Sequence, residues 1–131
     1  MPWSGMLAVG GGAAVGAWMR WGLGVFLNPL FPTLPLGTLA ANLVGGLLMG
    51  FAMELLTRHA VLPAEARLLV TTGFLGGLTT FSTFSAEVVT LLTRREYLWG
   101  SIAVGAHVMG SLAMTILGIA LSRSLYAWGT S

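Results

Sequence analysis

The amino-acid sequence predicts an all-α integral membrane protein, a single domain over residues 1–131 with four transmembrane helices, the third of them broken. Three observations carry that expectation. Lys, Arg, Asp and Glu make up 8% of the 131 residues and the hydrophobic set makes up 56%, whereas a soluble domain carries roughly 25% charged residues to coat its surface. The mean hydropathy is +0.87, and long apolar runs alternate with short breaks, as spans alternate with loops. All the prolines, Pro2, Pro29, Pro32, Pro35 and Pro63, fall at the N-terminus or in those breaks, where a missing N–H and a fixed φ do a helix no damage.

Crossing the hydrocarbon core takes about 20 apolar helical residues, and the chain divides accordingly. Span one is expected from Met6 to Phe26. Its first arginine, Arg20, follows the apolar run instead of preceding it, unlike the basic start of a signal peptide, so the segment reads as a retained span with Arg20 at the interface. After the link Leu27 to Pro35, span two runs from Leu36 to Leu56, with Glu54 near its end and able to snorkel. The link Thr57 to Glu65 leads to span three, Ala66 to Leu92. The link Thr93 to Leu98 leads to span four, Trp99 to Leu121. No link is long enough to fold as a domain.

Glycines stand four apart at Gly12 and Gly16, at Gly46 and Gly50, and in the series Gly37, Ala41 and Gly45, a spacing that lets helix backbones approach closely. With four spans, Arg58, Arg67 and Arg123 fall on one side and Arg94 and Arg95 on the other, with Arg20 in span one. Such a near-balance is a weak orientation signal and permits insertion in both directions. Four short helices enclose little volume, which favours a pathway between subunits of a homo-oligomer.

Span three carries the unusual chemistry. From Thr71 to Glu87 it reads TTGFLGGLTTFSTFSAE, dense in residues that weaken helices or compete for backbone hydrogen bonds. This predicts a break near Gly76 to Thr80, whose freed carbonyls would suit a small hard cation. The alternative is a continuous helix whose hydroxyls bond back to the preceding turn. Phe81 and Phe84 share one helix face, either as core or lipid-facing residues or as ring edges offering a weak site to a small anion. Asn42 is the only amide within a span, suited to gluing helices or to donating to an anion. In span four, His107, Ser111 and Thr115 recur every fourth residue as one polar stripe. Glu87, at the far end of the hydroxyl-rich segment, is expected deeper than Glu54.

Composition also excludes classes of function. With no Cys, two His and four acidic residues, all Glu, there is no thiol nucleophile, disulfide framework or zinc spacing, and an enzyme is not expected. The pI near 10.0 comes from dispersed arginines rather than a basic run, so nucleic acid is not an expected partner.

Three segments, GGGAAVGAWMRW (Gly10 to Trp21), GTLAANLVGGLLMGF (Gly37 to Phe51) and GFLGGLTTFSTFSAE (Gly73 to Glu87), resemble in order and spacing the hallmark segments of the Fluc (CrcB) family of fluoride channels. The resemblance covers nearly the whole chain. It implies four-span subunits in an antiparallel, dual-topology homodimer, with two pores that export fluoride passively across the inner (plasma) membrane. Carried over by position, Phe81 and Phe84 would line the pore with Asn42. Gly76 and Thr79 would offer backbone carbonyls to a structural Na⁺ shared by both subunits. Thr38, Ser82, Glu87, His107, Ser111 and Thr115 would lie along the path, and Arg20 near a vestibule. One turn before His107 this chain has Ala103 where some relatives carry Tyr. The alternative class is a small dual-topology, proton-coupled drug or cation transporter. Those rely on a deep carboxylate, and the first span here has no acid.

Overall fold

The computed structural model describes residues 2–58 and 62–129, which are helical throughout apart from short links. Helix α1 (Trp3–Leu27) follows Pro2 and ends where Asn28 and Pro29 turn the chain into a short 3₁₀ segment, Asn28–Leu30. Helix α2 (Leu36–Arg58) begins directly after Pro35. Its first amides are satisfied from outside the helix: Asn28 Oδ1 accepts from the N–H groups of Gly37 (2.8 Å) and Thr38 (3.3 Å). This Asn does from nine residues upstream of Gly37 what an N-cap side chain does locally.

The next helical stretch is built from pieces. Helix α3 (Ala64–Leu68) passes into a π-helical segment, Leu69–Leu75, and then α4 (Gly76–Leu78). The chain is extended at Thr79 (ψ 157°) and Thr80 (φ −150°, ψ 123°), and α5 (Phe81–Thr93) resumes with the Thr80 side chain capping the Thr83 N–H. The break thus lies at the C-terminal end of the expected interval. The π segment has no forerunner in the sequence reading.

Helix α6 (Tyr97–Gly129) has 33 residues, roughly 50 Å at 1.5 Å per residue, and so continues well past the Leu121 boundary expected from hydropathy. Its last turns are joined to α2 by Glu54, which pairs with Arg123 (3.1 Å) as well as Arg58 (2.9 Å). Glu54 therefore ties two helices together rather than simply reaching for water. The link Thr57 to Glu65 includes residues 59–61, which lie outside the described residues.

Three stretches, Leu36–Arg58, Ala64–Thr93 and Tyr97–Gly129, are long and apolar enough to cross a membrane among the described residues. Helix α1 has 25 residues, enough in length, but its glycines, tryptophans and Arg20 keep it out of that set.

Helix packing follows the glycines. A Cβ at Gly12 or Gly16 would strike backbone of the π segment and α4, at Leu69 and Phe74 for the first and at Phe74 and Leu78 for the second. On the opposite seam, Gly46 faces the Ser111 backbone, and Gly50 faces that of Thr115. Backbones in such proximity gain dispersion that larger residues would forbid. Ala41, Leu75 and Leu78 are wholly buried where the two seams meet. Large apolar side chains face outward instead, among them Trp18, Trp21, Phe81 and Trp128, as expected where the surroundings are lipid or another apolar surface.

Candidate functional site

The helix break frees backbone groups, and side chains from α1 and α2 meet them. Thr80 N–H, which would have completed the helix from Gly76, instead donates to Asn42 Oδ1 (2.8 Å). Asn42 Nδ2 donates to the Thr80 carbonyl oxygen (3.0 Å), so one α2 amide clasps both backbone groups of one residue. Asn42 Nδ2 also lies 3.0 Å from His107 Nδ1 on α6. The clasp explains how an extended dipeptide persists at membrane depth, since each polar group that leaves the helix needs a new partner.

On the α1 side, Arg20 Nε donates to the Gly77 carbonyl oxygen (3.0 Å). Arg20, expected at the interface, reaches toward the break, because a carbonyl without its helical donor and the negative end of a short helix together attract a cation. Carbonyls of Gly77 and Thr80 are thereby taken. The amide that would have served Thr79, Thr83 N–H, donates to Thr80 Oγ1 (3.1 Å). The carbonyls of Gly76 and Thr79 thus lose their regular helical donors, and Gly76 is exposed. Hard oxygen donors of this kind suit Na⁺, so the residues named for that ion fit it.

Beside the break is a groove of about 400 Å³. Its walls include Asn42, Phe81, Phe84, His107, Ser111 and Thr115, and no acidic residue. Phe81 and Phe84 meet edge to face, with centroids 5.5 Å apart and planes at 77°. Phe84 is buried at 7% exposure while Phe81 stands 77% exposed, so only one of the pair is enclosed within the single chain. His107, 3% exposed, stacks on Phe84 at 4.5 Å. Thr115 Oγ1 lies 3.1 Å from the Gly46 carbonyl oxygen and 3.0 Å from that of Ser111, holding the polar stripe against α2.

The remaining expected residues lie outside this groove. Thr38 Oγ1 donates to Glu87 Oε1, and the pair sits between two smaller cavities, one lined by Glu87 and Arg94, the other by Thr38 and Arg20. Ser82 Oγ is 3.3 Å from Thr80 Oγ1 on an exposed turn. The structure therefore brings Asn42, Phe81, Phe84, His107, Ser111 and Thr115 into one groove and keeps Thr38, Glu87 and Arg20 outside it. Thr80 was not singled out from sequence, although a Thr immediately before a new apolar run is a helix N-cap signal.

Residues 7–119 match the model of a family described as CrcB-like protein, Camphor Resistance (CrcB). Relatives named fluoride-specific ion channel FluC are similar over most of the chain. The protein from Nitrosospira multiformis is 64% identical over 114 residues, 87% of this chain and 89% of its own length. That from Thiobacillus denitrificans is 62% identical over 112 residues, 86% of this chain and 90% of its own. That from Ralstonia pickettii is 59% identical over 114 residues, 87% and 90% respectively.

Proposed function

Because the chain belongs to the CrcB-like family, we propose that it is a fluoride-selective channel, passing the ion passively and electrogenically out of the cell. The observation that carries this reading is the groove itself: amide, imidazole, hydroxyls and ring edges converge there without a carboxylate. A small anion entering it gives up water in exchange for donors and for the electropositive rims of Phe81 and Phe84. Such contacts hold an ion only weakly, which conduction requires.

The working unit is an antiparallel, dual-topology homodimer with two pores, residing in the inner membrane, each chain crossing the bilayer four times. Support comes from the near-balanced arginines, the exposed Phe81 ring and the exposed Gly76, which leave half-built surfaces for a second copy to complete. The carbonyls of Gly76 and Thr79, with their counterparts in that copy, would hold Na⁺. When bound, Na⁺ supplies a fixed positive charge that offsets the cost of bringing an anion into a low-dielectric site. Thr38 and Glu87 would lie at one end of the path, and the Arg20 guanidinium would lend positive charge beside it.

The alternative, a proton-coupled cation transporter, requires a carboxylate in the substrate site. Glu87 is outside the groove and bonded to Thr38, which disfavours it. The test is fluoride efflux from liposomes holding only the purified protein, with a K⁺ ionophore for charge balance and chloride assayed in parallel. Ionophore-dependent fluoride efflux with little chloride is the expected result. Proton-coupled uptake of an organic cation that Glu87→Gln abolishes would favour the transporter.

A further inference from the structure

We propose that Arg58 and Arg123 form a headgroup site for an anionic phospholipid, one whose phosphodiester is its only charge, where α2 and α6 leave the apolar part of the bilayer. The inference goes beyond the channel reading and does not depend on it. Helices α2 and α6 run in the same direction, with Gly46 facing Ser111 and Gly50 facing Thr115, so the last turns of α2 come level with Arg123. Each arginine lies just past the end of its apolar run, at Leu56 and at Leu121, which is where the hydrocarbon gives way to lipid phosphates.

Glu54 Oε1 accepts from both Nε atoms, at 2.9 Å from Arg58 and 3.1 Å from Arg123. The Glu54 side chain is 14% exposed, against 35% for Arg58 and 64% for Arg123, so the acid is covered and the two cations face outward. A guanidinium has five N–H donors, and the bonds to Glu54 engage only the Nε of each. The terminal nitrogens form the planar fork that fits two oxygens of one phosphate. Arg58 also lies over the Tyr126 ring, 4.4 Å from its centroid, a contact that holds the guanidinium plane in place. One carboxylate between two guanidiniums leaves one positive charge over. The other acids are elsewhere: Glu65 accepts from Ser4, Glu87 from Thr38, and Glu96 precedes the opposite end of α6. A single surplus cation matches a lipid with one net negative charge, whereas a zwitterionic headgroup brings an ammonium that the arginines repel.

The length of α6 fits the same site. From Tyr97 to Trp128 it covers roughly 46 Å at 1.5 Å per residue, close to the ~40–45 Å of a bilayer with its headgroups. Leu125 and Trp128 are exposed on its last turns, and Trp and Tyr settle among headgroups. The turns past Leu121 therefore belong to the headgroup layer rather than to bulk water.

The test is native mass spectrometry of the full-length protein in detergent, with phosphatidylglycerol and phosphatidylcholine of the same acyl chains competing for it. Phosphatidylglycerol is expected to be retained in preference. Arg58→Lys/Arg123→Lys keeps the positive charges that govern orientation but not the forks, and should weaken that retention about tenfold, the worth of one charge-assisted hydrogen bond. Glu54→Gln removes the carboxylate that competes with the phosphate and should tighten retention about fivefold, the worth of one unit charge at a lipid surface. Movements in opposite directions cannot come from a general loss of fold. Equal retention of the two lipids, a lysine variant that binds phosphatidylglycerol as the parent does, or a Glu54→Gln variant that binds it no more tightly overturns the proposal. So does displacement of the lipid by an equal concentration of glycerol phosphate, which would make the site one for a soluble phosphate. In liposomes, a nitroxide on Leu125→Cys, in a chain with no cysteine of its own, should report the phosphate level of the bilayer; a label in bulk water would put these turns beyond the headgroups and overturn it as well.

Discussion

The guanidinium of Arg20 is held at the helix break by a single bond from Nε to the Gly77 carbonyl oxygen. Removing it leaves that part-buried carbonyl without a donor, at a cost of about 1–3 kcal/mol. Arg20→Met is therefore expected to lower the melting temperature of the purified protein, and Arg20→Lys to recover part of the loss, since an ammonium restores charge and a donor without the fixed fork of the guanidinium. A melt of Arg20→Met identical to that of the parent would mean that the break holds itself. The reach of Arg20 was not legible in the sequence, because its partner is a carbonyl 57 residues away that becomes available only once the helix stops. Asn42 was legible as a lone amide needing partners, but not as a clasp: both backbone groups it grips belong to Thr80, 38 residues on. The stripe His107, Ser111 and Thr115 could be read directly, because four-residue spacing on one helix is a local fact.

At the scale of elements, close packing and turn chemistry act in opposite directions on stability. A Cβ at Gly50 would collide with the Thr115 carbonyl oxygen. That oxygen belongs to the α6 backbone and cannot rotate away, so overpacking should cost about 1–3 kcal/mol or more. Gly50→Ala is expected to lower the melting temperature by separating α2 from α6. The link between α5 and α6 offers the reverse case. Arg95 has φ 62°, with its N–H on the Leu92 carbonyl oxygen (3.0 Å) and the Glu96 N–H on that of Leu91 (2.9 Å), the paired bonds of a Schellman turn in which Gly is the usual left-handed residue. Arg95→Gly should stabilise by roughly 0.5–1 kcal/mol, read as a higher melting temperature. The helices were largely legible because prolines and hydropathy mark their ends. The π segment was not, since a shift from i+4 to i+5 bonding leaves no periodicity in seven residues; nor was the length of α6, which continues past its apolar part because nothing after Leu121 stops it.

For the whole molecule, the exposed area is 8131 Å², against roughly 6,600 Å² for a compact soluble monomer of this mass. The excess belongs to long helices that leave their apolar faces outward, and a single chain leaves Phe81 and one side of the groove open. The sequence pointed to that openness only in outline, through four short helices that enclose little volume; it shows which residues share a face but not what covers it. The arginine balance could be seen, and it makes the assembly testable. Arg58, Arg67 and Arg123 stand against Arg94 and Arg95, and the short α5 to α6 link concentrates the latter pair where orientation is decided. Replacing both, in Arg94→Gln/Arg95→Gln, leaves positive charge on one side only and should commit every chain to one orientation. If the pores need antiparallel partners, this variant passes no fluoride when expressed alone. Arg58→Gln/Arg67→Gln/Arg123→Gln, which leaves Arg94 and Arg95 as the only loop arginines and so biases the chain the other way, should be equally silent, and co-expression of the two should restore efflux because each supplies the orientation the other lacks. Full efflux from either variant alone, with its orientation verified by cysteine labelling at the termini, would mean that parallel copies or a single chain conduct, and the dual-topology dimer would have to be abandoned.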